Sequence, residues 1–487
     1  MIARGGAVHR VYSVVVFVIL ASLDNVAIGI VPPLYGSIGD DFGVGEGHIA
    51  LATTIMFMIS AVAAIGWAYA GDRTDRKPVL IAGTAIWVAG TAWSGLATGY
   101  GSFLGAQVLA AFGLGAVASV SFAVVSDLIS PKRRGLVMSF WGLSQGVGTL
   151  AGTLAGGILG HTDWRKPFLM TAVAGTVATL AYLFTYNVPR GDSQPELAGI
   201  DYDERIHHDH LPIILGRRTN LWLILQGGTA QIAFGSLVWL PVLFRARAED
   251  QGYSAGTAVL VGSVFATIFQ LGAALSILGG LAGDRLQRRT PRGRALVAAV
   301  GVLAAVPFYV VLFFVPMKIT VPDSADTGAV IRGVLDNVVT EPTVAGCLAI
   351  AVFALMLTSA NSPNWFAMIA DVNPPEHRGT VYSLGNLVNG AGRAGGNVLV
   401  AVAFQRLAGA FPPPLNYAVG LASFQLFFVP TGIMYWLASR TVAADMAATH
   451  AALLAKASER GPDGDVGGDP SVAVERLTAQ QDPGTGR

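Results

Sequence analysis

Long apolar runs separated by short polar breaks organise this chain from end to end. The runs fall at about 11–33, 48–70, 79–98, 103–127, 136–160 and 167–187, then at 221–244, 257–282, 295–316, 343–370, 379–405 and 416–439. Some twenty residues at ~1.5 Å rise each cover a hydrocarbon core of ~30 Å, so each run predicts a spanning helix, twelve in all. Arg4 and Arg10 precede the first run as they would in a secretory leader. That run is too long for a leader core and is interrupted by Asp24, so it reads as the first spanning helix. The longest break, 188–220, holds Pro189, Pro195, Asp201, Asp203, Glu204 and Arg205 and parts the runs into two sets of six. The expected organisation is an N-terminal half (1–187), a cytoplasmic linker (188–220), a C-terminal half (221–439) and a polar, mostly disordered tail (440–487). The fold class is an all-α membrane protein with two pseudo-symmetric six-helix halves.

Composition agrees with this pattern. Hydrophobic residues make up 53% of the chain and charged residues 13%, about half the usual share for soluble domains. Sixty glycines would weaken soluble helices, whereas in a membrane they let backbones approach closely. Arg73, Arg76, Lys77, Lys132, Arg133, Arg134 and the basic run from Arg285 to Arg294 fall in loops on one side. The opposite loops carry far fewer Lys and Arg, so the basic side is expected to be cytoplasmic, with both termini inside, in a bacterial plasma membrane. A net charge of +1 gives no sign of a nucleic-acid partner, and a monomer in the lipid bilayer is expected. The lone Cys347 excludes an intrachain disulfide. His207, His208 and His210 beside Asp209 have metal-binding chemistry, but they fall in the solvated linker and no metal site is expected. No nucleophile motif or nucleotide loop is present, so neither an enzyme, nor ATP coupling, nor a cofactor is expected, and a proton gradient is the expected driving force.

The two halves repeat a pair of loop signatures. Ala68 to Lys77 (AYAGDRTDRK) matches Gly280 to Arg289 (GLAGDRLQRR) at an offset of 212. Asp127 to Ser139 (DLISPKRRGLVMS) matches Asp371 to Ser383 (DVNPPEHRGTVYS) at an offset of 244. The long loop from Met317 to Pro342 can absorb most of the difference. Asp72 with Arg73 and Arg76, and Asp284 with Arg285 and Arg288, can form partly desolvated carboxylate–guanidinium pairs with Asp127 and Asp371, joined by Arg134 and Arg378. Such pairs would gate the basic side; the alternative is a plain charge bias that sets topology.

These signatures, the two six-helix halves and the central linker resemble the major facilitator superfamily over nearly all of 10–440. Within it, Leu23 to Pro33 (LDNVAIGIVPP), AGDRTDRK, and Gly279 to Arg289 with Gly293 to Leu296 are most similar to the Spinster-type branch. That resemblance implies proton-linked transport of lysophospholipids or sphingosine-type lipids. The chain departs from the branch where Asn25 follows Asp24 in place of an arginine. It also has no charge between Phe103 and Ser126, Gln107 being the nearest polar substitute. A multidrug–proton antiporter is the alternative, although Thr153 stands where the glycine-rich signature of that branch has proline.

A charge in hydrocarbon costs at least ~2.5 kcal/mol and marks function by default. Two lie deep inside spans, Asp24 and Arg393, at similar depth and of opposite sign, within reach of a direct or water-bridged pair. Neither has a charged symmetry mate: Ser236 lies 212 after Asp24 and Thr149 lies 244 before Arg393. Asp24 is the proton-coupling candidate, since burial favours the uncharged form of an acid. Arg393 is the candidate for holding a phosphate or carboxylate head group; a static structural pair is the alternative. Gln107, Gln231, Asn361, Asn364 and Asn389 are further candidate substrate ligands, with Gln145 and Gln270 as lesser ones. The two asparagines beside Pro363 serve equally well to satisfy the backbone that proline frees. Gly148, Gly152, Gly156 and Gly160, four apart, predict a close-packing helix face. The expected function is alternating-access transport of a small amphipathic solute such as a lysophospholipid.

Overall fold

The computed structural model describes residues 7–31, 34–129, 131, 134–160, 163–185, 188, 190–191, 194, 205, 209–323 and 326–460. Lys132, Arg133, most of the linker including His207 and His208, the side chains of Gln145, Thr153 and Gln270, and residues 461–487 lie outside that description.

The first set of runs forms α1 (Ala7–Ile30), α2 (Glu46–Arg73), α3 (Arg76–Gly95), α4 (Tyr100–Leu128), α5 (Arg134–Gly160) and α6 (Arg165–Leu183). The second set forms α7 (Arg218–Ser236, continued by Leu240–Asp250), α8 (Ala255–Phe269, continued by Ser276–Gln287) and α9 (Gly293–Phe314). After these come α10 (Pro342–Ser359, continued by Asn361–Val372), α11 (Arg378–Leu407) and α12 (Leu415–Gln425, continued by Phe428–Arg460). Ten of these rods are long and apolar enough to cross a membrane. The other two, α5 and α11, are 27 and 30 residues long, but glycines and amides dilute their hydropathy. Outward faces are apolar: on α6, Val173, Val177 and Leu180 are 65%, 62% and 54% exposed, a surface that only lipid covers without cost.

Small residues set the helix contacts. A Cβ on Gly148, Gly152 or Gly156 would lie 2.2, 2.2 and 2.6 Å from the carbonyl oxygens of Ser22, Val26 and Ile30, so the predicted glycine face seats α5 directly on the α1 backbone. The second half repeats the seam: a Cβ on Gly392 or Gly396 of α11 would lie 2.3 or 2.2 Å from the carbonyl oxygens of Gly228 and Ile232 of α7.

Two segments differ from expectation. The tail expected to be disordered from 440 continues as α12 to Arg460. Val442, Thr449 and Leu453 are buried, and with Met446 packed beside them they form a helical stripe that the charged composition masks. The loop 317–342 contains the helix Thr327–Thr340, capped where Asp326 accepts from the Gly328 amide at 2.9 Å. Val330 and Val334 are fully buried there and join the core cluster of α8 and α10.

The seam yields a test. Gly152→Ala puts a methyl against the Val26 carbonyl and should destabilise the protein by about 1–3 kcal/mol. Gly101→Ala, where a Cβ meets nothing within 4 Å, should be neutral. Thermal unfolding of both variants in the same detergent checks this.

Candidate functional site

At the basic end the halves are joined by buried ion pairs, and the pairs are crossed. Asp127 of α4 accepts from Arg378 of α11, while Asp371 of α10 accepts from Arg134 of α5 at 2.6 Å. The repeated Asp…Arg-Gly signature therefore pairs each carboxylate with the arginine of the other half. Arg76, the first residue of α3, adds a bond to Asp127 at 2.5 Å and reaches the Pro375 carbonyl at 2.8 Å. In the second half Arg294 takes that place, donating to Asp371, to Asp284 at 2.6 Å and to the Pro131 carbonyl at 2.8 Å.

The two loop aspartates cap helices of the opposite half. Asp284 accepts from the amides of Gly135 and Leu136, both at 2.9 Å, at the start of α5. Asp72 accepts from the amide and hydroxyl of Thr380 at 2.9 and 3.0 Å, at the start of α11. A helix N-terminus carries partial positive charge and unpaired N–H groups, so a carboxylate is well held there. The glycine of the Arg-Gly signature makes room for it. A Cβ at Gly135 would lie 2.6 Å from an Asp284 oxygen, and one at Gly379 would lie 3.0 Å from both Asp72 oxygens.

Expectation and structure part at several gating residues. Arg73 points out, donating to the Tyr69 hydroxyl at 3.3 Å, and Arg285 and Arg288 are exposed. Loop alignment places Arg288 opposite Arg76, whereas Arg294 does the work because the second loop is longer and both arginines open a helix. The register of the helix starts carried that signal. The lock is not fully satisfied: Nε of Arg76, Nε of Arg294 and Nη2 of Arg378 are buried without a hydrogen-bond partner among the described residues.

Further along the bundle the seam between the halves runs out. Phe122 stacks on Tyr382 with centroids 4.3 Å apart, and a Cβ on Gly390 would lie 3.9 Å from that of Ala61. One turn on, Arg393 and Ala394 are exposed. Arg393 follows Gly390 by three residues, so it shares the face turned toward α2. It has no hydrogen-bond or ion-pair partner among the described residues. Asn389 packs its Oδ1 against Gly227 of α7. Both helices start at the basic end, so the next turn on each sets Gln231 level with Arg393. Gln231 is half-buried and likewise has no partner among the described residues.

Asp24 is 6% exposed, and its carboxylate accepts from the Asn25 amide at 2.5 Å; no ion pair joins it to Arg393. The glycine seams relate Ser22 to Gly228 and Val26 to Ile232, a shift of 206 and not 212. On this register the mate of Asp24 is Ala230 in place of Ser236, and Asn25 corresponds to Gln231. Asp24 therefore sits at the depth of Arg393 but in the other half.

Three other expected ligands are occupied by packing. Gln107 donates to Ser94 at 3.0 Å between α4 and α3. Asn364 donates to the Ala360 and Gly279 carbonyls at 2.8 and 3.2 Å, tying α10 to α8 beside Pro363. Asn361 accepts from the Tyr435 hydroxyl of α12. Asn389, against Gly227, also belongs to a helix contact.

Among known proteins, the sequence pattern of the Major Facilitator Superfamily matches residues 16–397. The chain belongs to that superfamily. It is an integral, multi-pass membrane protein of a transporter family, not an enzyme. It is 23% identical over 285 residues to Protein spinster homolog 3 of Danio rerio, covering 55% of this chain and 56% of that one. It is 25% identical over 290 residues to the Sphingosine-1-phosphate transporter SPNS2 of Danio rerio, covering 57% of each. The Multidrug resistance protein MdtL of Escherichia coli O81 is 28% identical over 148 residues, 30% of this chain and 38% of its own. The chain thus spans about half the length of the spinster relatives it matches. Among solved structures, a bacterial homolog to the human lysosomal transporter Spinster, inward-facing and unoccupied, aligns with a TM-score of 0.52 at 18% identity, over 91% of this chain and 99% of that one. FucP in the outward conformation aligns with a TM-score of 0.60 at 14% identity, over 88% and 99%. Both likenesses show the fold.

The Arg294 geometry yields a test. Arg294→Ala removes the guanidinium shared by two buried carboxylates, leaving Asp371 to Arg134 and Asp284 to two backbone amides; a loss of about 3 kcal/mol is expected, and the basic end should loosen. Arg285→Ala, on an exposed side chain, should change little. Distances between spin labels placed on the two halves check both variants.

Proposed function

We propose that this protein is a secondary transporter that moves a small amphipathic anion, such as a lysophospholipid, by alternating access between two halves. The observation that carries this reading is Arg393, a cation exposed on the face of α11 turned toward α2 of the other half, without a partner among the described residues. A guanidinium so placed is a ready counter-charge for a phosphate or carboxylate, which it binds in bidentate fashion. Gln231, level with it, is free to add a neutral hydrogen bond. The apolar spans, with few polar side chains among them, suit an acyl chain better than a sugar. The similarity to a protein named as a sphingosine-1-phosphate transporter supports the same substrate class.

In this reading the basic end faces the cytoplasm and the crossed pairs form the inner gate. With these pairs formed the protein is closed on that side in this reading, and substrate reaches Arg393 from the other. Asp24 is the coupling carboxylate: in the opposite half at the same depth, it takes up a proton when substrate engages Arg393. A multidrug–proton antiporter is the second reading, favoured by the similarity to MdtL.

Uptake into proteoliposomes tests both roles. Losing a charge-assisted bond of about 1.5–3 kcal/mol, Arg393→Ala should lower transport of anionic lysolipids roughly ten- to hundredfold. Neutral or cationic amphiphiles should be affected much less; equal loss for all of them makes Arg393 structural. With an imposed pH gradient, Asp24→Asn should bind substrate without concentrating it. If that variant still accumulates substrate in response to the gradient, coupling lies elsewhere.

A further inference from the structure

Three segments far apart in sequence converge where α10 turns into α11. His377, in the turn Pro375–His377, is 5% exposed, and its Nε2 lies 3.0 Å from Nδ1 of His210. His210 opens the short linker helix His210–Gly216. The extension of α12 closes over both. Its Lys456 donates to Glu376 at 3.2 Å, and its Thr449 donates to the Val372 carbonyl at 2.8 Å. Arg217, just after the linker helix, donates to the same carbonyl and to Thr449 at 2.5 Å. A cavity of about 180 Å³ remains between the three segments, bounded by Ile213, Pro374 and Leu453. Into this region His377 brings a buried Nδ1 that has no hydrogen-bond partner among the described residues. The next residue is Arg378, whose guanidinium holds Asp127 of the other half.

We propose that the His210–His377 pair is a proton-responsive latch that clamps the α10–α11 turn and, through Arg378, holds the lock between the halves closed. Two neutral imidazoles share one proton along the line between them. One further proton, taken up on Nδ1 of His377, which has no partner among the described residues, makes a buried imidazolium 3.0 Å from His210. Arg217 on the linker side and Lys456 on α12 repel it; against them stand Glu376, already engaged by Lys456, and Asp445 of α12, which acts on Arg217. The protonated His377 leaves its buried place, the linker helix and the α12 extension release the turn, and Arg378 loses its fixed geometry.

Burial is the first cause that pushes the His377 imidazole down from 6.5 to about 4; Glu376 pulls the other way, while His210, Arg217 and Lys456 push it further down. A base whose value is depressed in the closed form favours that form above its ordinary value and loses this advantage as pH falls. The window therefore runs from about 6.5 down to about 4, and well inside it the shift toward the open form is about tenfold per pH unit.

The test uses the full-length protein in nanodiscs, spin-labelled at Thr74→Cys and Arg289→Cys, two exposed positions on opposite halves at the basic end. Cys347 is buried and is left in place. Between pH 6.5 and 5.5 the ratio of long-distance to short-distance populations should rise about fivefold, since the freed ring is half protonated at the upper limit. In His377→Gln, and separately in His210→Asn, which keep a hydrogen bond without a titrating ring, the short distance should persist at pH 5. Transport at pH 7.5 should remain within about twofold of the parent, since neither residue belongs to the substrate site around Arg393. The proposal fails if the parent distances do not change down to pH 4.5, or if both variants open with the parent profile.

Discussion

A buried charge must meet an opposite charge, and at the basic end of this protein that requirement binds two halves into one molecule. Asp127 and Asp371 are held by Arg378 and Arg134, each from the other half. Removing water from such ions costs several kcal/mol apiece and is offset only when geometry and extra hydrogen bonds are good. Here the extra bonds come from Arg76 and Arg294 and from two helix N-termini capped by Asp72 and Asp284. The balance is incomplete, because Nε of Arg76, Nε of Arg294 and Nη2 of Arg378 find no acceptor among the described residues. An ion-pair cluster of this kind is stable without being deep.

Much of this was legible in the sequence because duplication wrote it twice. Apolar runs gave the helices, the repeated loops gave the lock, and glycines four apart gave the seam between α5 and α1. The crossing of the pairs was not legible, since alignment says which residues correspond and not which of them touch. Arg294 escaped for a related reason: the second loop is longer, so the loop register and the helix-start register diverge by six residues. The α12 extension was hidden by composition, its charged and small residues masking a buried stripe at Val442, Met446, Thr449 and Leu453.

The polar residues inside the bundle divide by whether packing already uses them. An amide within hydrocarbon seeks a partner, and on neighbouring helices it finds one readily. Gln107, Asn361 and Asn364 have found theirs, which fixes them as ties between helices. Arg393 and Gln231 stand where the seam between the halves ends, and they have found none among the described residues. Spacing along one helix does not reveal that difference; it depends on which neighbour lies opposite.

One helix connects the two regions. α11 is a single thirty-residue rod with Arg378 and Thr380 at its foot and Arg393 fifteen residues above Arg378, ~22 Å along the axis at ~1.5 Å per residue. Its Gly392 and Gly396 sit on the bare carbonyls of α7, with no side chain between them to act as a cushion. A rod seated in that way rocks together with its partner. A pull on the guanidinium at its middle reaches the foot as a lever arm transmits torque, without a relay of intermediate side chains.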